Sequence, residues 1–353
     1  MRMKALLLAA LLAAPADAYQ FDLSQLPHYV PETQLTGTIR NFGFSLSGVL
    51  PIWEEGFRQY QPGIDFADKF PSGDVAVAGL VAGVSDLGPQ GRDLYLVENL
   101  MFYETFGYYP SAVTVATGGY DAEGTACGLV IFVHKDNPIK SLSMRQLDGI
   151  FGSERIAGLD GFRWTLGKGR GADRNIRDWS QLGLPKGEIH TYGHGPSGTS
   201  AFFQLRVLGN GDKWNPNYKE YVETGSKQIG ADDPGQVGGL QHMLKDELTH
   251  DPFGIAWSIE PQAAGVSGLR AVPISDNGPA IAPTLENFQN RSYPLVRNIY
   301  FYFNRKPGQP LDPKIREFIR YVLSREGQEA LQKANKYLPL TPELAKLQLE
   351  SLQ

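Results

Sequence analysis

The chain carries one cysteine, Cys127, among its 353 residues. That excludes an internal disulfide framework and any cysteine-rich metal site. Positive charge is also scarce: 33 Lys and Arg stand against 38 Asp and Glu, for a formal net charge of −5. A nucleic-acid-binding chain shows a basic excess, so that class is excluded. No stretch of about 18 residues is uniformly apolar, which excludes a membrane-spanning helix. No segment recurs with a period of roughly 20–50 residues, which excludes solenoids and propellers. What remains is ordinary globular composition, 42% hydrophobic and 20% charged, in a chain long enough for about two domains.

The first 18 residues read as a secretory leader. Arg2 and Lys4 precede an apolar run over residues 5–14, and Ala16-Asp17-Ala18 forms an A-x-A cleavage site before Tyr19. Loss of Arg2, Lys4 and Asp17 takes the net charge from −5 to −6. The mature chain is expected to be soluble and exported. A lone thiol suits an oxidising compartment.

Beyond the leader, short apolar strands alternate with helical patterns, so the fold class is α/β. Residues 51–60 place Trp53, Phe57 and Tyr60 on one helical face. Residues 72–83 read as a small-residue helix, 128–134 as a buried strand, 141–151 and 197–208 as helices, and 293–304 as a strand. Residues 312–333 read as one long amphipathic helix with Ile315, Phe318, Ile319 and Val322 inward. Residues 164–188 read as a polar surface loop. The glycine-rich stretch 118–128 and the segment 259–268 are candidate crossings between lobes.

The chemistry concentrates at helix starts. Ser197-Gly198-Thr199-Ser200 opens a helix with small hydroxyl residues. These cap free backbone N–H groups, and the absence of a side chain at Gly198 lets an anion approach them. Phe44-Ser45-Leu46-Ser47 and Ser72-Gly73-Asp74 are similar, and three such starts could converge on one anion. Gly91-Arg92 ends a tight turn and presents a guanidinium suited to planar oxyanions. A plain N-cap and a solvated Arg are the bland alternatives. Enzyme motifs fail: Gly195-Pro196-Ser197-Gly198-Thr199 lacks the last glycine of a nucleophile elbow, and Gly167-Lys168-Gly169-Arg170-Gly171 lacks the Ser or Thr of a P-loop. His190 and His194 lie four apart without helical context, so no metal site is expected.

With these residues in view, the chain resembles the PstS-like phosphate-binding proteins of bacterial ABC importers over roughly residues 36–345. The resemblance rests on residues 132–139, Ser197-Gly198-Thr199, residues 251–255, Tyr293-Pro294-Leu295-Val296-Arg297 through Tyr300, Tyr302 and Asn304, residues 322–328, and Tyr337-Leu338-Pro339-Leu340. It implies a two-lobed periplasmic-binding-protein fold (type II) with a ligand cleft between lobes. Lobe one would be residues 36–124 plus 260–353, and lobe two residues 125–259. It implies a monomeric, exported binding protein for inorganic phosphate that delivers it to an inner-membrane ABC permease, with no cofactor and no turnover.

The implied ligand-binding residues are Phe44, Ser45, Ser72, Gly73, Gly91, Arg92, His194, Ser197, Gly198 and Thr199. The chain departs from the family in four places. Gly91 stands where Ser is common, the loop before Ser197 is one residue short, His194 replaces an expected Arg, and the carboxylate that some members use to accept the phosphate proton is absent from the third loop, where Asp74 could replace it. If His194 touches the ligand, affinity falls as pH rises past its ordinary pKa near 6.5. These departures leave open another oxyanion, or a sensor or secreted role. A hydrolase built on Ser197 and His194 is the enzyme alternative.

Overall fold

The computed structural model describes residues 20–222 and 239–352. The expected leader, residues 1–18, therefore lies outside the described residues. In chain order the first elements are β1 (Thr36–Phe42), α1 (Val49–Arg58), β2 (Gly63–Lys69), α2 (Ala76–Val81), β3 (Gly88–Gln90), α3 (Leu96–Phe106) and β4 (Ser111–Thr117). The second group is β5 (Val130–His134), β6 (Leu142–Ser143), α4 (Met144–Phe151), β7 (Ala157–Asp160), β8 (Arg163–Leu166), β9 (His190–His194), α5 (Gly198–Val207), β10 (Lys219–Tyr221), α6 (Leu240–His242), β11 (Gly254–Ser258), α7 (Glu260–Ala263), β12 (Leu269–Ala271), β13 (Ile274–Ser275) and α8 (Leu285–Gln289). The chain then closes with β14 (Asn298–Phe303), α9 (Pro313–Val322), α10 (Arg325–Ala334) and α11 (Pro342–Glu350).

Two sheets define two lobes. In the first, β14 lies antiparallel between β3 and β4. The parallel pair β1–β2 joins them through Asn41, opposite Leu87, and through Phe42 N–H to Leu87 carbonyl at 3.0 Å. The second sheet has the order β10-β9-β11-β5-β12. Each has its own apolar core. Trp53, Phe57, Phe301 and Phe318 centre the first; Phe151, Phe203, Trp257 and Phe288 centre the second. The helical face expected over residues 51–60 is the one that packs: Trp53 and Phe57 are fully buried, and Trp53 Nε1 donates to Gly327 carbonyl at 2.8 Å.

Strand pairing moves the lobe boundary. Residues 259–268 are not a crossing, because β12 pairs with β5 and β13 with β6, and Phe288, Tyr293 and Leu295 sit in the second core. The second lobe therefore runs to about residue 295 rather than 259. The two crossings lie side by side: Gly118 N–H donates to Arg297 carbonyl at 2.8 Å, and Leu129 N–H to Leu295 carbonyl at 3.0 Å. Gly118 has to be glycine, since a Cβ there would fall 2.7 Å from Ala126 carbonyl and 2.9 Å from Arg297 Cβ. The first lobe also begins before residue 36, with Leu23, Leu26 and Tyr29 in its core.

Two other expectations change. The helix expected over 312–333 is two helices, because Ser324 stops α9 and caps α10, accepting from Gly327 N–H at 3.3 Å. The stretch 164–188 is not wholly surface. Trp179 is buried, and Arg170 is buried against Asp148 at 3.2 Å.

One buried acid gives the first lobe a pH signature. Asn41 Nδ2 donates at 2.9 Å to both Glu54 Oε1 and Asp68 Oδ1. Burial, reinforced by Asp68, raises the Glu54 carboxyl from 4.5 to about 8. The folded state thus holds a proton that the unfolded chain releases above pH 4.5, so this group costs stability as pH rises from 4.5 to 8. Glu54→Gln should raise the melting temperature by a few degrees at pH 8 and leave it unchanged at pH 4. Thermal melts at the two pH values check this, and a loss at pH 8 would contradict it.

Candidate functional site

The expected site residues fall on three loops of the first lobe and one helix start of the second. The first loop follows β1. Leu46, Ser47 and Gly48 adopt φ of 51°, 53° and 86°, three successive left-handed residues that turn the chain into α1. Buried Leu46 pins this strained turn, and Ser47 Oγ donates to Gly124 carbonyl at 2.7 Å. Phe44 N–H donates to Pro89 carbonyl at 3.0 Å, which ties the first loop to the third. Ser45 is half-buried and heads the turn without a side-chain cap bond.

In the second loop Ser72 Oγ accepts from Asp74 N–H at 3.2 Å and stays exposed. Gly73 and Gly91 are joined through Gln90, which sequence reasoning missed. Gln90 Nε2 donates to Gly73 carbonyl at 2.6 Å, and Gln90 Oε1 accepts from Gly91 N–H at 3.2 Å. The Gln90 side chain also crowds Gly73, while Ala126 crowds Gly91. A Cβ at Gly73 would lie 2.4 Å from Gln90 Oε1, and one at Gly91 would lie 2.8 Å from Ala126 Cβ. The serine common in the family at position 91 does not fit this packing.

Arg92 is the centre of the third loop. Its Nη1 and Nη2 donate to Glu98 at 2.7 and 2.9 Å, and Nη2 also reaches Asp74 Oδ1 at 2.8 Å. Its guanidinium lies 3.8 Å from the Tyr95 ring centroid. Burial pushes the guanidinium down, but the bonds to Glu98 and then Asp74 outweigh it, and the net shift is upward. β14 braces the loop from beneath. Tyr300 Oη donates to Asp93 Oδ1 at 2.7 Å, and Tyr302 Oη to Arg92 carbonyl at 3.4 Å.

The helix start is built as its sequence suggests. Ser197 Oγ accepts from Ser200 N–H at 3.2 Å, and Ser197 N–H donates to Ser200 Oγ at 2.8 Å. Gly198 faces the first lobe: a Cβ there would stand 3.6 Å from Arg92 Cδ and 3.5 Å from Arg297 Nη2. Arg297, not among the expected site residues, crosses from the hinge to this helix. Nη2 donates to Gly198 carbonyl at 3.0 Å, and Nη1 to Thr199 Oγ1 at 3.4 Å. Arg297 lies in the stretch that carries the family resemblance, but nothing local marked it as facing residue 198.

His194 does not join this set. Its ring is buried, stacks on Trp257 at 4.6 Å, and its Nε2 lies 3.0 Å from Ser258 Oγ. A flat aromatic wall, with Phe203 on the same indole, claims the imidazole for the second core. The structure therefore gathers Phe44, Gly73, Gly91, Arg92, Gly198 and Thr199, with Gln90 and Arg297 added. Ser45, Ser72 and Ser197 sit at their loop ends, and His194 is packed away. Among the described residues, no group of three His, Cys, Asp or Glu could hold a metal ion, and no helix is long and apolar enough to cross a membrane.

Comparison with known proteins agrees with this architecture. Residues 126–326 match the PBP superfamily domain. Over 334 residues the chain is 30% identical to the phosphate-binding protein PstS of Pseudomonas aeruginosa in two strains, covering 93% of this chain and 90% of that one. Among solved structures, PstS from Borrelia burgdorferi superposes with a TM-score of 0.56 at 14% identity, over 86% of this chain and 99% of that one. An ABC-type phosphate transport receptor from Vibrio cholerae gives 0.51 at 18% identity, over 85% and 99%. These structural likenesses establish the fold, a two-lobed α/β architecture, and the domain match over residues 126–326 places the chain in the PBP superfamily. The sequence match narrows it, and the chain belongs to the PstS-like family of substrate-binding proteins.

Proposed function

We propose that this protein is an exported receptor for inorganic phosphate that delivers its ligand to an ABC permease and catalyses no reaction. The observation that carries the reading is the meeting of Arg92, Arg297 and the start of α5 at Gly198, across the two lobes. Helix-start N–H groups, hydroxyls and guanidinium forks are the donors that a desolvated oxyanion needs. They act at contact range, so a net charge of −5 does not oppose them beyond a Debye length of about 8–10 Å. Export to the periplasm is supported by the leader pattern of residues 1–18. The hydrolase alternative lacks its geometry. Ser197 Oγ is engaged by Ser200 N–H, and His194 Nε2 faces Ser258 rather than Ser197.

The test is calorimetry and thermal shift on the purified protein stripped of anions, with phosphate and with sulfate as control. Phosphate at about 100 times its dissociation constant should add roughly 2.7 kcal/mol of stability. Phosphate binding without sulfate binding supports the receptor. Absence of heat and shift with millimolar phosphate would overturn it in favour of another oxyanion or another role.

A further inference from the structure

Arg297 differs from Arg92 in how its charge is met. Glu98 and Asp74 hold Arg92, both within 2.8 Å. Among the described residues no carboxylate reaches ion-pair distance of Arg297. It is buried, with 5% of its surface exposed, and its Nε has no hydrogen-bond partner. The charged and titratable groups around it are Arg92, Asp93, Cys127 and Tyr337. Asp93 faces the other way in part, since its Oδ1 accepts from Tyr300. The face of Phe202 lies 5.5 Å from the guanidinium. Burial, reinforced by the like charge of Arg92, lowers the guanidinium below its ordinary value.

A buried cation without a counter-charge is costly. Here it also stands at the positive end of the ten-residue helix α5, where the dipole adds roughly half a positive charge. Two of its N–H groups hold Gly198 and Thr199, and Nε remains as a donor. We propose that Arg297 is a direct ligand contact that supplies the unbalanced positive charge of the site, and that the site prefers a doubly charged oxyanion. This rests on the receptor reading and names the ionic form that the receptor takes. Arg92, already neutralised, shapes the seat. Arg297 and the α5 dipole attract the charge. A singly charged anion leaves part of that field unmet, and a dianion fills it.

The test compares the native chain with Arg297→Met and Arg297→Lys, using inorganic phosphate at pH 6 and pH 8. Native affinity should rise roughly tenfold from pH 6 to pH 8, following the second ionisation of phosphate. An affinity that falls over this range would overturn the dianion preference and point to a titrating histidine. Arg297→Met should lose at least about 100-fold in affinity, while its anion-free melting temperature equals or exceeds that of the native protein. Unchanged binding in Arg297→Met overturns the contact. A lower anion-free melting temperature in Arg297→Met makes Arg297 a hinge anchor and overturns it as well. Arg297→Lys keeps the charge and folds with it. It should bind with intermediate affinity and retain the pH rise; binding as weak as in Arg297→Met would overturn the role of charge. A native protein that binds no phosphate at either pH overturns the receptor reading itself, which separates the two failures.

Discussion

Gly198→Ala should fold as the native chain does and lose phosphate binding by about 100-fold or more. The backbone at Gly198 is helical, not left-handed, so alanine adopts it freely. The new methyl would lie 3.5 Å from Arg297 Nη2 and 3.6 Å from Arg92 Cδ, both ordinary contacts. Nothing has to move to admit it. Alanine also gains roughly 0.5–1 kcal/mol over glycine within a helix, so the anion-free protein should melt no lower. The methyl nevertheless fills the space between the two guanidinium groups where the helix-start N–H groups would meet an oxyanion. At about 1.4 kcal/mol per tenfold, a 100-fold loss is near 3 kcal/mol. Calorimetry beside a thermal melt of the anion-free protein checks it. Native affinity in the variant would mean that the anion does not rest on Gly198.

Glu98→Ala should have the largest effect on stability, a loss of roughly 3–5 kcal/mol. Glu98 receives both ends of the Arg92 fork at 2.7 and 2.9 Å, and its Oε2 also accepts from Tyr95 N–H at 2.7 Å. The two side chains are only 3% and 8% exposed. Removing the acid leaves Arg92 with Asp74, whose side chain is 68% exposed and shares its charge with solvent. The melting temperature should fall on the order of 10 °C. Arg92→Met combined with Glu98→Leu should recover much of that loss, because the cost lies in the stranded cation and not in the missing contact. A fall of only a degree or two for Glu98→Ala would mean that solvent reaches Arg92 freely.

Most of the framework could be read locally. Trp53 and Phe57 at helical spacing gave α1, the apolar run over 128–134 gave β5, and Ser197 gave the start of α5. These features depend on residues a few positions apart. What escaped depends on distant ones. Arg297 meets Gly198 across 99 positions, and no local pattern in residues 293–297 reveals it. His194 stands where the family resemblance places a ligand Arg. Its fate was set by Trp257, 63 positions on, whose ring stacks on it. Gln90 appeared as one polar residue in a turn, yet it fills the space that makes Gly73 a glycine. The split between α9 and α10 did have a local signal, Ser324 followed three residues later by Gly327, but the continuous periodicity masked it.

The middle position of β14 in the first sheet has a consequence for how the protein is made. β3 and β4 are synthesised within the first 117 residues but do not pair with each other; each pairs with residues 298–303. The N-terminal segment likewise waits for the far end of the chain, with Tyr29 N–H donating to Glu326 across 297 positions. Lobe two is one uninterrupted stretch and can close as soon as it is made. Lobe one must bring together ends separated by that whole lobe, at the loop-closure entropy such a separation carries. Its β1–β2 pair and α1 therefore emerge without the strand that completes their sheet. Vectorial synthesis thus imposes an order: the lobe encoded second is the one able to finish first. The half-made first lobe stays open until β14 and the segments after it, which carry Phe318, Tyr337 and Leu340 of its core, have been added.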